Sequence, residues 1–81
     1  MPDDTNEPFI RGLQQAWRRE QASARIYHAL AEREPTETRR NVLLKLATAE
    51  VQHGERWAAR LRELDAPLPP DQDLLRDRVW R

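Results

Sequence analysis

The chain has 81 residues, of which 14 are basic and 14 acidic; 38% are hydrophobic and none is cysteine. Domains of this size bury only about 60% of the unfolded chain's surface, so they usually need a disulfide, a metal ion or a partner subunit. Without cysteine, disulfides, thiolate zinc sites and cysteine nucleophiles are excluded, so the chain needs either a metal on nitrogen and oxygen ligands or an oligomer. Zero net charge disfavours nucleic acid as a partner.

Prolines divide the sequence, because a proline is tolerated in the first turn of a helix but breaks a helix interior. Capping side chains at residues 3–6 precede the first long segment. Pro35 and the residues after it end one helix and cap the next. The sequence therefore predicts a first helix over about 7–34, a tight turn and a second helix over about 37–64, forming a hairpin domain at 7–64.

The remaining segment, 65–81, is predicted to be a spacer followed by a short helix. Three prolines, Pro67, Pro69 and Pro70, end the second helix, and the short helix is expected over 71–80. The chain contains no apolar run near the roughly 20 residues of a membrane span, and its start lacks the features of a signal peptide. A cytoplasmic location is therefore expected.

Both long segments repeat mostly apolar residues at spacings of three and four positions, which is typical of helices that pack one side against a neighbouring helix. Neither segment shows the alternation of a β-strand. We therefore expect an all-α chain, an antiparallel two-helix hairpin plus a short C-terminal helix. The predicted contact stripe of the first helix is Ile10, Leu13, Trp17, Glu20, Ala24, Tyr27, Ala31 and Glu34, and that of the second is Leu43, Leu46, Glu50, His53, Trp57, Leu61 and Leu64.

Three polar residues on these stripes, Glu20, Glu50 and His53, are the candidate metal ligands. A carboxylate facing a core is unfavourable unless it is compensated, and a metal ion compensates all three groups at once. Glu20 and Glu50 both lie 15 residues from Pro35, so an antiparallel hairpin places them at similar heights. Mixed carboxylate and imidazole ligands suit iron, manganese or zinc. The alternative is a buried Glu and His hydrogen-bonded to arginines.

One hairpin supplies half of a di-iron carboxylate site. Such bundles use one Glu from each of two helices and a Glu-x-x-His from each of two others. Two copies related by a twofold axis supply four carboxylates and two imidazoles and form a four-helix bundle. We therefore expect a homodimer or a higher homo-oligomer.

Some other residues are open to two interpretations. The Tyr27 hydroxyl is a candidate to hydrogen-bond a ligand carboxylate, or it belongs to a core aromatic residue. Gly54 either permits close packing or is a tolerated defect, the latter being favoured. Trp17 and Trp57 are expected to anchor the core or a dimer interface. Solvent-facing positions are expected at His28, Glu32, Glu34, Glu37, Glu55 and Glu63.

At these residues the chain resembles the ferritin-like superfamily, especially its half-length, rubrerythrin-like branch. That branch includes encapsulated ferritins and the N-terminal domains fused to membrane proteins of the vacuolar iron transporter family. The family's first-helix Glu, the Tyr seven residues later and the second-helix Glu-x-x-His are similar to Glu20, Tyr27, Glu50 and His53 here. The resemblance covers about residues 8–64.

The resemblance implies a di-iron centre between two subunits, with ferroxidase activity that serves iron transport or detoxification. It implies that Glu20 and Glu50 bridge or terminally ligate the iron ions, that His53 completes each site and that Tyr27 tunes it. Iron is the implied metal, with manganese or zinc as substitutes in vitro. Other interpretations are a non-catalytic metal-sensing and dimerisation domain that regulates an attached iron transporter, an encapsulin-cargo ferritin, or a structural hairpin without metal.

The details of the match favour the transporter-fused branch. The stretches 27–34, 46–53 and 57–61 are more similar to the transporter-fused domains than to free ferritins. Residues 71–81 resemble a juxtamembrane stretch rather than an encapsulin-targeting signal. These features predict a covalently attached membrane transporter module, with the domain on the cytosolic face of a membrane.

Overall fold

A computed structural model, which describes residues 6–70, shows two long helices packed antiparallel. Helix α1 spans Asn6–Arg33 and helix α2 spans Glu37–Glu63, joined by a turn at 34–36. The predicted helix bounds are correct to within one residue, and the described part of the chain contains no strand. The short helix predicted at 71–80 lies outside the described residues.

The turn between the helices is held mainly by Arg40. Its guanidinium donates hydrogen bonds to the backbone oxygen of Glu34, at 3.2 Å from Nε and 3.1 Å from a terminal nitrogen. The Thr36 backbone N–H donates to a Glu34 carboxylate oxygen at 3.2 Å. Thr36 occupies the predicted N-cap position, but its side chain makes no capping hydrogen bond. The short turn fixes how the two helices are aligned along their length.

Helix α2 ends before the prolines that were expected to end it. Ala66 N–H donates to the Leu61 oxygen at 2.9 Å, and Asp65 N–H donates to the Arg62 oxygen at 3.0 Å. This pair of bonds is the Schellman motif, which requires one residue in the left-handed region. Asp65 supplies it, with φ 53°. Gln14 then donates to the Pro67 backbone oxygen at 2.9 Å and ties the chain back to α1.

The contact between the helices is made mainly of small side chains. The buried residues are Leu13, Ala24 and Ala31 in α1 and Ala47, Gly54, Ala58 and Leu61 in α2. Leu13, Ala24 and Ala31 belong to the predicted α1 stripe, and Leu61 belongs to the predicted α2 stripe. The α2 stripe is displaced nearer the turn, where Leu46 is 40% exposed and Ala47 is buried in its place. Small residues allow the helix axes to approach closely. Larger residues of the stripe consequently lie along the edge of the contact.

Several large apolar side chains of the hairpin are exposed. Between the middle of the helices and the turn, the exposed residues include Ile26, Leu30, Val42 and Leu46, at 58%, 49%, 53% and 40%. Leu46 and His53 are seven residues apart, or two turns, and so share one side of α2. Neither described helix has the length and apolar character needed to cross a membrane.

Candidate metal site

Glu20, Glu50 and His53 converge at the middle of the hairpin. One ligand atom from each of the three lies within 4.8 Å of the others. His53 Nδ1 is 3.7 Å from Glu20 Oε2 and 3.9 Å from Glu50 Oε1. The structure thus brings together the three residues that the sequence selected as candidate ligands.

The helical geometry explains this convergence. Glu50 and His53 are three residues apart and therefore lie one above the other on α2. Glu20 comes from α1, and the short turn at Pro35 places it at the height of Glu50. The site therefore has two candidate ligands fixed by one helix and a third whose position depends on how α1 packs against α2.

The electrostatic environment of the site is dominated by the two carboxyl groups. A side-chain hydrogen bond with Glu20 raises the pKa of Glu50 above its ordinary value. The partial removal of Glu50 from water raises this pKa further, and so does the negative charge of Glu20, whereas the His53 imidazole lowers it. Two carboxyl groups this close repel each other when both are ionised, so a cation between them is favoured.

The site opens to one side of the hairpin. The side chains of Glu20 and Glu50 keep 20% and 22% of their surface exposed, and that of His53 keeps 47%. His53 was expected on a buried stripe and is instead at its edge, because the adjacent Gly54 occupies the helix contact. A ligand or a second protein chain can therefore reach all three groups.

The donor set and its spacing fit a first-row transition metal. Ligand atoms about 2.1 Å from a tetrahedral cation lie about 3.4 Å apart. The observed distances of 3.7 and 3.9 Å exceed this by a few tenths of an ångström, which small side-chain rotations supply. Two carboxylates and one imidazole suit iron, manganese or zinc. One hairpin would leave coordination positions open on such a cation.

Tyr27, proposed as a neighbour of the ligands, lies about 10 Å along α1 from Glu20, given a rise of 1.5 Å per residue. It is half-buried. Within residues 6–70, no hydrogen bond joins its hydroxyl to the ligand carboxylates. Its influence on the site stays a prediction.

The remaining predicted positions are mostly where they were expected. His28 and four glutamates, Glu32, Glu37, Glu55 and Glu63, are exposed. Glu34 is half-buried because it belongs to the turn held by Arg40. Both Trp17 and Trp57 are half-buried, and the buried Trp57 indole N–H has no hydrogen-bond partner among residues 6–70.

Gly54 differs from its favoured interpretation. A Cβ atom at this position would lie 3.1 Å from Gln21 Nε2 and 3.6 Å from Glu20 Cβ. Gly54 is thus part of a close helix contact, in which a methyl group would require only the end of the Gln21 side chain to move. Sequence reasoning did not select Gln21 because it falls outside the three-four stripe of the first helix.

No protein-family model matches the chain, and neither a curated protein nor a solved structure matches it.

Proposed function

We propose that this chain binds ferrous iron at Glu20, Glu50 and His53 and oxidises it with dioxygen. The observation that carries the proposal is the convergence of three ligand atoms within 4.8 Å, from two helices, at the middle of the hairpin. The ferritin-like resemblance of the same residues favours iron over other cations that this donor set accepts.

Iron is the substrate of this reaction. Two ferrous ions each give one electron to dioxygen, which takes up two protons and leaves as hydrogen peroxide. The carboxylates of Glu20 and Glu50 favour the more highly charged ferric product. His53 supplies a neutral nitrogen ligand, and its orientation is set by its position one turn from Glu50.

We further propose that the complete site forms between two copies of the chain. One hairpin supplies two carboxylates and one imidazole, whereas a di-iron bundle uses twice that number. The site opens on the side of α2 that also carries the exposed Leu46, and Val42 lies one turn before it. A second copy related by a twofold axis would supply the other ligands and cover these apolar side chains.

A binding function without turnover is the second candidate. The open position of the site beside exposed apolar residues suits a metal-dependent dimerisation domain as well as an oxidase. Such a domain would report iron to an attached transporter, the partner implied by the resemblance. The two functions differ in whether iron oxidation continues after the sites are filled.

The test is addition of ferrous iron under air to the wild type, to Glu50→Gln and to Glu55→Gln. Glu55 lies on the same helix and is exposed, so its variant is a matched charge control. The proposed oxidase gives a rise in ferric absorbance that continues beyond one filling of the sites and is lost only in Glu50→Gln. A rise that stops after one filling favours the binding domain. Equal rises in the two variants contradict both functions.

A further inference from the structure

We propose that Gly54 is a positioning residue for the candidate metal site, because it lets α2 approach α1 at the height of the ligands. The inference rests on the proposed function, since it concerns the same three side chains. Gly54 is buried, directly follows His53 and lies one turn after Glu50.

The space around Gly54 is occupied by the facing helix. A Cβ atom there would lie 3.1 Å from Gln21 Nε2, 3.6 Å from Glu20 Cβ and 3.9 Å from Trp17 Cδ1. The Gln21 amide ends a flexible side chain and can move aside for a methyl group. A longer side chain meets Glu20 and Trp17 as well, so it forces the two helices apart or tilts them.

Helix separation acts on one ligand more than on the others. The 3.7 Å contact between His53 and Glu20 joins the two helices, whereas the 3.9 Å contact between His53 and Glu50 lies within α2. A side chain at position 54 that pushes α1 away therefore removes Glu20 from the site and leaves the Glu50–His53 pair in place. The affected variant should bind metal as if Glu20 were absent.

Gly12 provides a matched control. It is the other glycine of the chain, it also lies inside a long helix, and it is exposed. A Cβ atom at Gly12 would meet no atom of the described part of the chain within 4 Å. Replacing either glycine raises helix propensity, but only replacement at position 54 is expected to disturb the ligands.

The experiment measures Co²⁺ affinity by calorimetry, and the Co²⁺ absorption spectrum, for the full 81-residue chain. The variants are Gly54→Ala, Gly54→Leu, Gly12→Leu and Glu20→Ala. We expect Gly12→Leu and Gly54→Ala to bind like the wild type. Gly54→Leu should lose about 10–100-fold in affinity and should match Glu20→Ala in both affinity and spectrum. A purely structural role would instead lower the melting temperature and leave the spectrum unchanged.

A folded Gly54→Leu chain that binds Co²⁺ like the wild type would overturn the inference while leaving the proposed function intact. A wild-type chain that does not bind Co²⁺ would overturn both. Should the leucine variant lose its helical circular dichroism signal, Gly54→Val takes its place in the same comparison, because its side chain is smaller yet still longer than a methyl group.

Discussion

The proposed dimer can be tested with two leucines on α2 that differ mainly in the side they face. Leu46 and Leu44 are 40% and 39% exposed. Two residues correspond to about 200° around a helix, so Leu44 lies nearly opposite Leu46. Leu46 shares a side with His53, and we expect the partner subunit to cover it. Leu46→Ala should therefore weaken the dimer, and Leu44→Ala should not.

The magnitude follows from the exposed fraction. Complete burial of a leucine side chain contributes about 1.5–3 kcal/mol. Covering the 40% that remains exposed at Leu46 therefore contributes about 0.6–1.2 kcal/mol per copy. Twofold symmetry counts the residue twice, so Leu46→Ala should weaken the dimer by about 1–2 kcal/mol, which is about 5–30-fold in its dissociation constant.

Sedimentation equilibrium at several protein concentrations, with and without Zn²⁺, measures this constant. Thermal unfolding of each variant provides the control, because both leucines are partly buried in the hairpin and their replacement should cost similar stability. Equal weakening of the dimer by both substitutions, or none by either, would refute the assignment of the interface. A wild-type chain that stays monomeric with metal would refute the dimer itself.

Two further predictions concern stability. Asp65→Gly should stabilise the chain by about 0.5–1 kcal/mol because glycine adopts positive φ without a steric penalty. Urea denaturation measures the gain, and Asp65→Ala, which should not stabilise the chain, is the control. The raised pKa of Glu50 stabilises the metal-free fold at pH below the ordinary value of 4.5, and this contribution is lost as the pH rises through the higher folded-state pKa. With a chelator present, the unfolding free energy should decline less in Glu50→Gln than in the wild type as the pH rises above 4.5. An equal decline in the two proteins would contradict the assignment.

The helix bounds and the meeting of the ligands could be predicted from the sequence because both depend on local signals. Pro35 fixes the turn, and equal distances from it place Glu20 and Glu50 at one height. The turn that closes α2 could not be predicted in the same way. The closing turn depends on Asp65 adopting a left-handed conformation, which few residues other than glycine favour. The prolines that follow predict where the helix ends, to within one residue, but not how its last turn is closed.

The displacement of the helix contact on α2 could not be predicted from the sequence either. A stripe with three-four spacing specifies which residues share a side of a helix, but it does not specify whether that side faces one neighbour or the centre of a larger bundle. Within the hairpin, the buried residues of α2 are Ala47, Gly54, Ala58 and Leu61, and only Leu61 belongs to the predicted stripe. The predicted residues Leu46 and His53 lie at the edge, where a second hairpin would meet them.

Metal binding and dimer formation should be linked through this edge. If two copies meet at their open sides, four carboxylates are brought together, and their mutual repulsion opposes the dimer until a cation compensates it. Burial of Leu46 and its neighbours favours the dimer whether or not metal is bound. Because linkage is reciprocal, any factor by which metal tightens the dimer is also the factor by which dimer formation tightens the metal. The apolar residues beside the site would then set the protein concentration at which iron is bound.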